Sequence, residues 1–250
     1  MKVSVLNLVP LRHGESFKDA MDAMVRLAKR VEDLGYTRYW IAEHHNMRRI
    51  ASSATQLLIQ HTLANTKKIR VGSGGVMLPN HSPYLIAEQY GTLETLYPNR
   101  VDLGLGRAPG TDVPTAMALR RTKDLKTDFE RDLAELSGYF KGSNYVQAYP
   151  AHGLYLPFYI LGSSTDSAYL AAKLGLPYSF AAHFAPAMME NAIAIYNRYF
   201  QPSAILDKPY VILGVNAILA DTDEEAKRLS TTMIQSFLNI VTSNQKGLMP

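Results

Sequence analysis

Short runs rich in β-branched and aromatic residues alternate with longer stretches of helical period along the whole chain, and this alternation constrains the fold more than any single residue does. Strands are expected at Val3 to Leu8, Arg38 to Ala42, from Ile69 to Val71 onward, Val101 to Leu105, Phe158 to Leu161, Pro177 to Ala181 and Tyr210 to Leu219. Between them the spacing predicts helices from Phe17 to Leu34 with Gly35 as the stop, from a Ser52 or Ser53 cap to about Ala64, and from Pro83 to Tyr97. Further helices are expected at Leu125 to Phe140, Ser163 to Leu174, Pro186 to Phe200 and Asp223 to Val241, with a Pro/Gly loop at Ala108 to Pro114 and an irregular connection from Lys141 to Leu156. Strand–helix–strand crossovers of this length force neighbouring strands to run parallel with right-handed connections. No linker or shift of composition interrupts the series, so residues 1–250 read as a single domain.

Two architectures meet these terms. A doubly wound sheet would carry a Gly-rich fingerprint at its first strand–helix turn, and Val9-Pro10-Leu11-Arg12-His13-Gly14-Glu15 has none. A (β/α)8 TIM barrel fits better, although only seven strand–helix units are found and the eighth strand and helix are missing. Seven strands alone would leave the first and last with unpaired edges. The sequence ends at Lys246-Gly247-Leu248-Met249-Pro250, just past the last helix, so it is expected to be a C-terminally incomplete version of a longer protein. The rival expectation is a degenerate barrel whose seam a second copy covers.

Composition excludes several classes. With 47% hydrophobic and 19% charged residues the chain can bury a sizeable core and is not a disordered polypeptide. The longest uncharged apolar run, around Val211 to Ala220, falls short of the ~18–20 residues that cross a bilayer. The net charge of +4 is spread without a basic block, which argues for a small anionic ligand and against nucleic acid. The absence of cysteine excludes disulfides and thiol nucleophiles, and the N-terminus lacks a secretory signal, so a cytoplasmic location is expected.

In a barrel of this kind the residues just after each strand build the site. The second strand runs into Glu43-His44-His45, which reads as a metal site, as a packed and a solvated imidazole, or as a proton-transferring group centred on His44. Adjacent residues point to opposite sides of a strand, which disfavours a shared ion, and no metal is expected. Gly74-Gly75 is either a bulge or a smooth floor for an aromatic ring system. Gly104-x-Gly106-x-x-x-Gly110 is too long for a dinucleotide loop, but it allows close approach to a flat ligand while Arg107 offers a fork for phosphate. Ser163, Ser164 and Ser167 stand at the start of a helix, either as an anion site or as simple caps. His13, His61, His81, His152 and His183 read as surface or packing residues.

Together these segments resemble the bacterial luciferase-like flavin monooxygenases, a (β/α)8 family. The residues carrying the resemblance are Tyr39 to His45, Val71 to Pro79, Pro83 with Ala87-Glu88, Asn99 to Arg107, and Leu161 to Ser164 with Leu174 to Pro177. The resemblance implies that Glu43, His44 and His45 sit beside the flavin ring, that Gly74–Gly75 is a cis peptide beneath it, and that Arg107, Ser163, Ser164 and Ser167 hold the FMN phosphate. It further implies a homodimer that takes FMNH₂ from a separate flavin reductase and uses O₂ to oxygenate a small-molecule substrate such as an aldehyde or ketone. The light-emitting members carry a cysteine where this chain has Gly106, so light emission is not implied. Three alternatives stand beside this one: an F420-dependent oxidoreductase of the same superfamily, a non-catalytic flavin-binding protein on a degenerate barrel, and a phosphosugar-type barrel enzyme without flavin.

Overall fold

The computed structural model describes residues 1–120, 126 and 128–241. Among them, seven strands form one parallel sheet in chain order: β1 (Ser4–Asn7), β2 (Arg38–Ile41), β3 (Arg70–Met77), β4 (Val101–Gly106), β5 (Phe158–Gly162), β6 (Tyr178–Phe180) and β7 (Val211–Leu213). The helices are α1 (Phe17–Asp33), α2 (Thr55–Asn65), α3 (Pro83–Leu96), α4 (Val113–Arg120), α5 (Phe129–Lys141), α6 (Thr165–Leu174), α7 (Met189–Tyr199) and α8 (Asp223–Val241). No helix among the described residues is long and apolar enough to cross a membrane.

The sheet curls. In a flat sheet β2 and β5 would lie three strand spacings apart, about 14 Å, beyond the reach of one side chain. Yet Arg38 of β2 donates from Nη2 to the Tyr159 hydroxyl of β5 at 3.0 Å and from Nη1 to the Tyr210 hydroxyl, beside β7, at 3.2 Å. These contacts cross the concave side, which is the interior of a barrel-like sheet of seven strands among the described residues. Among the described residues nothing pairs with the outer edge of β1 or β7, and Leu6 and Leu213 on those strands are exposed.

The concave interior at the strand starts is polar and closed by charge. Asp102 of β4, fully buried, accepts from Arg38 Nε (3.0 Å), Trp40 Nε1 (3.0 Å) and Arg70 Nε (2.7 Å). A buried carboxylate is tolerable only with its oxygens satisfied, and here three donors from two neighbouring strands share it. The convex face is apolar: Met24, Ala28 and Val31 of α1, Leu58, Ile59 and Leu63 of α2, and Ile86 and Tyr90 of α3 pack over Tyr39, Ile41, Val71, Val101 and Leu103. That layer fixes the strands, and the strands fix their C-terminal ends.

Several expected elements are revised. Neither Ser52 nor Ser53 caps α2; its N-cap is Ala54 without a side-chain bond, and the Thr55 hydroxyl instead donates to the Ala42 and Ser52 carbonyls. The stretch expected to be loop at Ala108 to Pro114 passes into α4 at Val113. The last strand spans only Val211–Leu213, and the helix expected from Pro186 opens with a 3₁₀ turn, Pro186–Met188. Leu125 and the terminal Lys246 to Pro250 lie outside the described residues.

Candidate active site

The C-terminal strand ends bring together residues that are far apart in sequence. Leaving β2, the buried Glu43 carboxylate accepts the Nε2–H of His45 and the Nε2–H of His81, both at 2.8 Å and both on Oε1, while Oε2 accepts the Met77 N–H at 3.1 Å. Burial opposes ionisation, but these donors outweigh it and hold Glu43 down at about 2. The three ligand atoms of Glu43, His45 and His81 lie within 4.8 Å of one another, a spacing that a metal ion can share. Hydrogen bonds within the cluster already occupy each of them.

His81, expected to be a packing or surface residue, is therefore part of the site. Nothing in the sequence signals this, because 38 residues separate it from Glu43 and the pairing exists only through the 3₁₀ turn Leu78–Asn80 that follows β3. The adjacent histidines do diverge as expected: His45 turns to Glu43, and His44 turns to the β4–α4 loop, where its Nδ1 lies 3.4 Å from the Gly110 carbonyl. A carbonyl only accepts, so Nδ1 carries the proton and Nε2 keeps its lone pair. Burial lowers the His44 pKa, which keeps the ring neutral.

The β4–α4 loop is tied down over this cluster. Asn80 Nδ2 donates to the Pro109 carbonyl at 2.7 Å, the Thr111 hydroxyl to the His45 carbonyl at 3.3 Å, and Asn46 Nδ2 to Asp112 at 2.8 Å. Thus the loops after β2, β3 and β4 form one connected wall.

Gly74–Gly75 is a cis peptide, and it coincides with a register shift between β3 and β4, so the bulge reading applies to it; Gly74 is half-buried and Gly75 buried. A Cβ on Gly74 would come within 2.6 Å of Leu6 Cδ1 and 3.1 Å of Trp40 Cβ. Trp40 therefore lies under this peptide, with its indole N–H given to Asp102. Of the glycines of β4, Gly104 serves a different purpose from the one expected. A Cβ on Gly104 would sit 2.2 Å from the Ser73 carbonyl oxygen, so that glycine lets β4 approach β3 rather than a ligand.

At the end of β4, Arg107 projects from a largely exposed position, its guanidinium 3.4–3.5 Å from Asp166 in the first turn of α6. Ser164 is the N-cap of α6, yet its hydroxyl makes no capping bond, so simple N-capping does not account for the serine run. Ser163 is half-buried beside it. Ser167 is turned inward: its hydroxyl donates to the Ser164 carbonyl at 2.8 Å and meets the Tyr178 hydroxyl at 3.0 Å, holding the turn in shape instead of facing outward. His183 lies after β6 and pairs through Nδ1 with the Gly214 carbonyl, a packing role as expected, and His61 is exposed on α2.

Comparison with known proteins places the chain in a family. The family model described as luciferase-like monooxygenase matches residues 1–247. A luciferase-like monooxygenase of Escherichia coli (strain K12) is 51% identical over 241 residues, covering 95% of this chain and 72% of that protein. The crystal structure of apo-MsnO8, 35% identical, superposes with a TM-score of 0.94 over 100% of this chain and 75% of its own. The fold is shared with the oxygenating constituent of 3,6-diketocamphane monooxygenase of Pseudomonas putida in complex with FMN (TM-score 0.76, 19% identity, 97% of this chain and 75% of that one). An F420-dependent secondary alcohol dehydrogenase also shares it (TM-score 0.58, 17% identity, 79% of this chain and 63% of that one). A curled parallel sheet with its polar cluster at the strand ends, matched along almost its whole length, identifies the chain as an enzyme of the luciferase-like monooxygenase family.

Proposed function

We propose that this protein is an FMN-dependent monooxygenase that receives FMNH₂ from a separate flavin reductase and works as a homodimer on a small organic substrate, an aldehyde or ketone. The observation that carries the reading is the grouping, at one end of the sheet, of a neutral His44, an ionised Glu43 and the half-buried Gly74 with Gly75, with Arg107 beside an uncapped helix N-terminus. These residues fit a flat, phosphorylated ring system. Gly74 and Gly75 bring no side chains against the ring, and Arg107 with the first turn of α6 offers donors to a phosphate.

The bound reduced flavin supplies the electrons that activate O₂. The chain's part is to bind, orient and move protons. Arg107, the Ser163 and Ser164 hydroxyls and the N–H groups of α6 anchor the phosphate, with Ser167 shaping the turn, and this remote contact fixes where the ring lies. His44 takes up and returns a proton at Nε2, since Nδ1 is committed to Gly110. Glu43 keeps His45 and His81 in one orientation, each with Nε2–H toward the carboxylate. The loop of residues 107–112, with Met77 packed against Gly110, covers one side of the half-buried His44 and limits its access to water.

The test is to supply the chain with FMN, NADH and a flavin reductase under ¹⁸O₂ and to screen aldehydes and ketones for labelled product. Incorporation of one labelled oxygen into one of them is expected. Tight FMN binding with no substrate-dependent NADH use would instead make it a flavin-binding protein without catalysis, and preference for F420 over FMN would make it a hydride-transferring relative.

A further inference from the structure

Arg107 already has an anionic partner. Its two terminal nitrogens both face one oxygen of Asp166, at 3.5 and 3.4 Å, and the contact joins the end of β4 to the first turn of α6. Asp166 adds a negative charge where the unpaired N–H groups of the helix concentrate positive potential, and Ser164 leaves those groups without a side-chain cap. One carboxylate therefore stands at both elements that the proposed function assigns to the phosphate. The pair is largely open to water, with side-chain exposures of 56% and 69%, so an incoming phosphate can reach the guanidinium and displace the carboxylate.

We propose that Asp166 is a specificity-determining residue that competes with the cofactor phosphate for Arg107. It holds the guanidinium in place when no phosphate is present and must yield it when one arrives. This inference rests on the reading of Arg107 and the α6 N-terminus as the phosphate site. Two consequences follow from the charge arrangement. Asp166 lowers the affinity for any ligand whose anchoring group carries negative charge, through loss of the Arg107 contact and through like-charge repulsion, and leaves ligands without that group unaffected. The cofactor then exchanges with free solution more readily than the guanidinium alone would allow, which suits an enzyme that must take reduced flavin from another protein and return it oxidised.

The experiment measures the dissociation constants of FMN and riboflavin by flavin fluorescence quenching in low salt, for the wild type, Asp166→Asn, Asp166→Ala and Arg107→Ala. Both Asp166 variants are expected to bind FMN about threefold to tenfold more tightly and riboflavin unchanged, a gain that shrinks as salt is added. Asparagine keeps the shape and first-turn position of the side chain, and alanine removes it, so agreement between them assigns the effect to charge. Unchanged or weaker FMN binding in both variants, with Arg107→Ala still weakening FMN selectively, would overturn the role of Asp166 and leave the phosphate site standing. Equal weakening of FMN and riboflavin in Arg107→Ala would overturn the phosphate site and this inference with it.

Discussion

His44 and Glu43 show how neighbouring residues acquire opposite charge states from their surroundings. His44 is neutral because burial lowers its pKa, and its Nδ1 is spent on Gly110. Replacing it with alanine is therefore expected to leave FMN affinity intact and to reduce oxygenation by about 10²–10⁴-fold, with NADH consumption diverted to peroxide. Product and peroxide assayed in the coupled system check this; unchanged coupling would return His44 to a packing role. Glu43 is charged despite being buried, because His45, His81 and the Met77 N–H hold it at about 2 against an ordinary value of 4.5. A carboxylate depressed in the folded state contributes stability that is complete above its unfolded value and is lost as pH falls through the folded one. The gap in urea midpoint between wild type and Glu43→Gln should be widest above pH ~5 and should narrow as the pH falls from about 4.5 toward 2. A gap constant with pH would contradict the assignment. Of this cluster, the Glu43-His44-His45 run was legible in the sequence because it follows a strand, whereas His81 was not. Its partner is set by the shape of a turn, and no spacing rule links positions 43 and 81.

Strand β4 carries two backbone demands with opposite tolerance. At its entrance, Asn99 has φ of +62° and gives its N–H to Glu94, so Asn99→Gly should be neutral or slightly stabilising, while Asn99→Val should cost about 1–2 kcal/mol. In its middle, Gly104→Ala would drive a methyl to 2.2 Å from the Ser73 carbonyl, against backbone that cannot move without unpairing β3 from β4. The expected loss is at least 3 kcal/mol, on the order of the largest single-site effects. Thermal unfolding of the three variants separates these outcomes, and comparable losses at both positions would contradict the account. The elements themselves were largely legible, since among the described residues seven of the eight α-helices begin and end within about four residues of where period and capping residues put them. The exceptions have physical causes. Helix α4 follows a Pro/Gly segment that reads as loop, α2 uses Thr55 to anchor its start to the preceding strand, and β7 lies at an open edge where alternation extends further than pairing does.

For the whole molecule, the parallel order of the sheet followed from strand–helix alternation alone, and its barrel-like curl is fixed by contacts that no local pattern encodes. Arg38, Arg70, Trp40 and Asp102 come from three strands and meet in the interior, where Tyr159 and Tyr210 complete the cluster. The curl sets the strand ends in an arc, so that the loops after β2, β3 and β4 and the first turn of α6 face a common mouth. The central claim is that this mouth holds FMN by its phosphate at Arg107. The most direct test is the binding of FMN and of riboflavin to the wild type and to Arg107→Ala, followed by flavin fluorescence. Loss of a charge-assisted contact worth ~1.5–3 kcal/mol should weaken FMN roughly tenfold or more and leave riboflavin nearly unchanged. Equal loss for both ligands, or no FMN binding by the wild type, would contradict it.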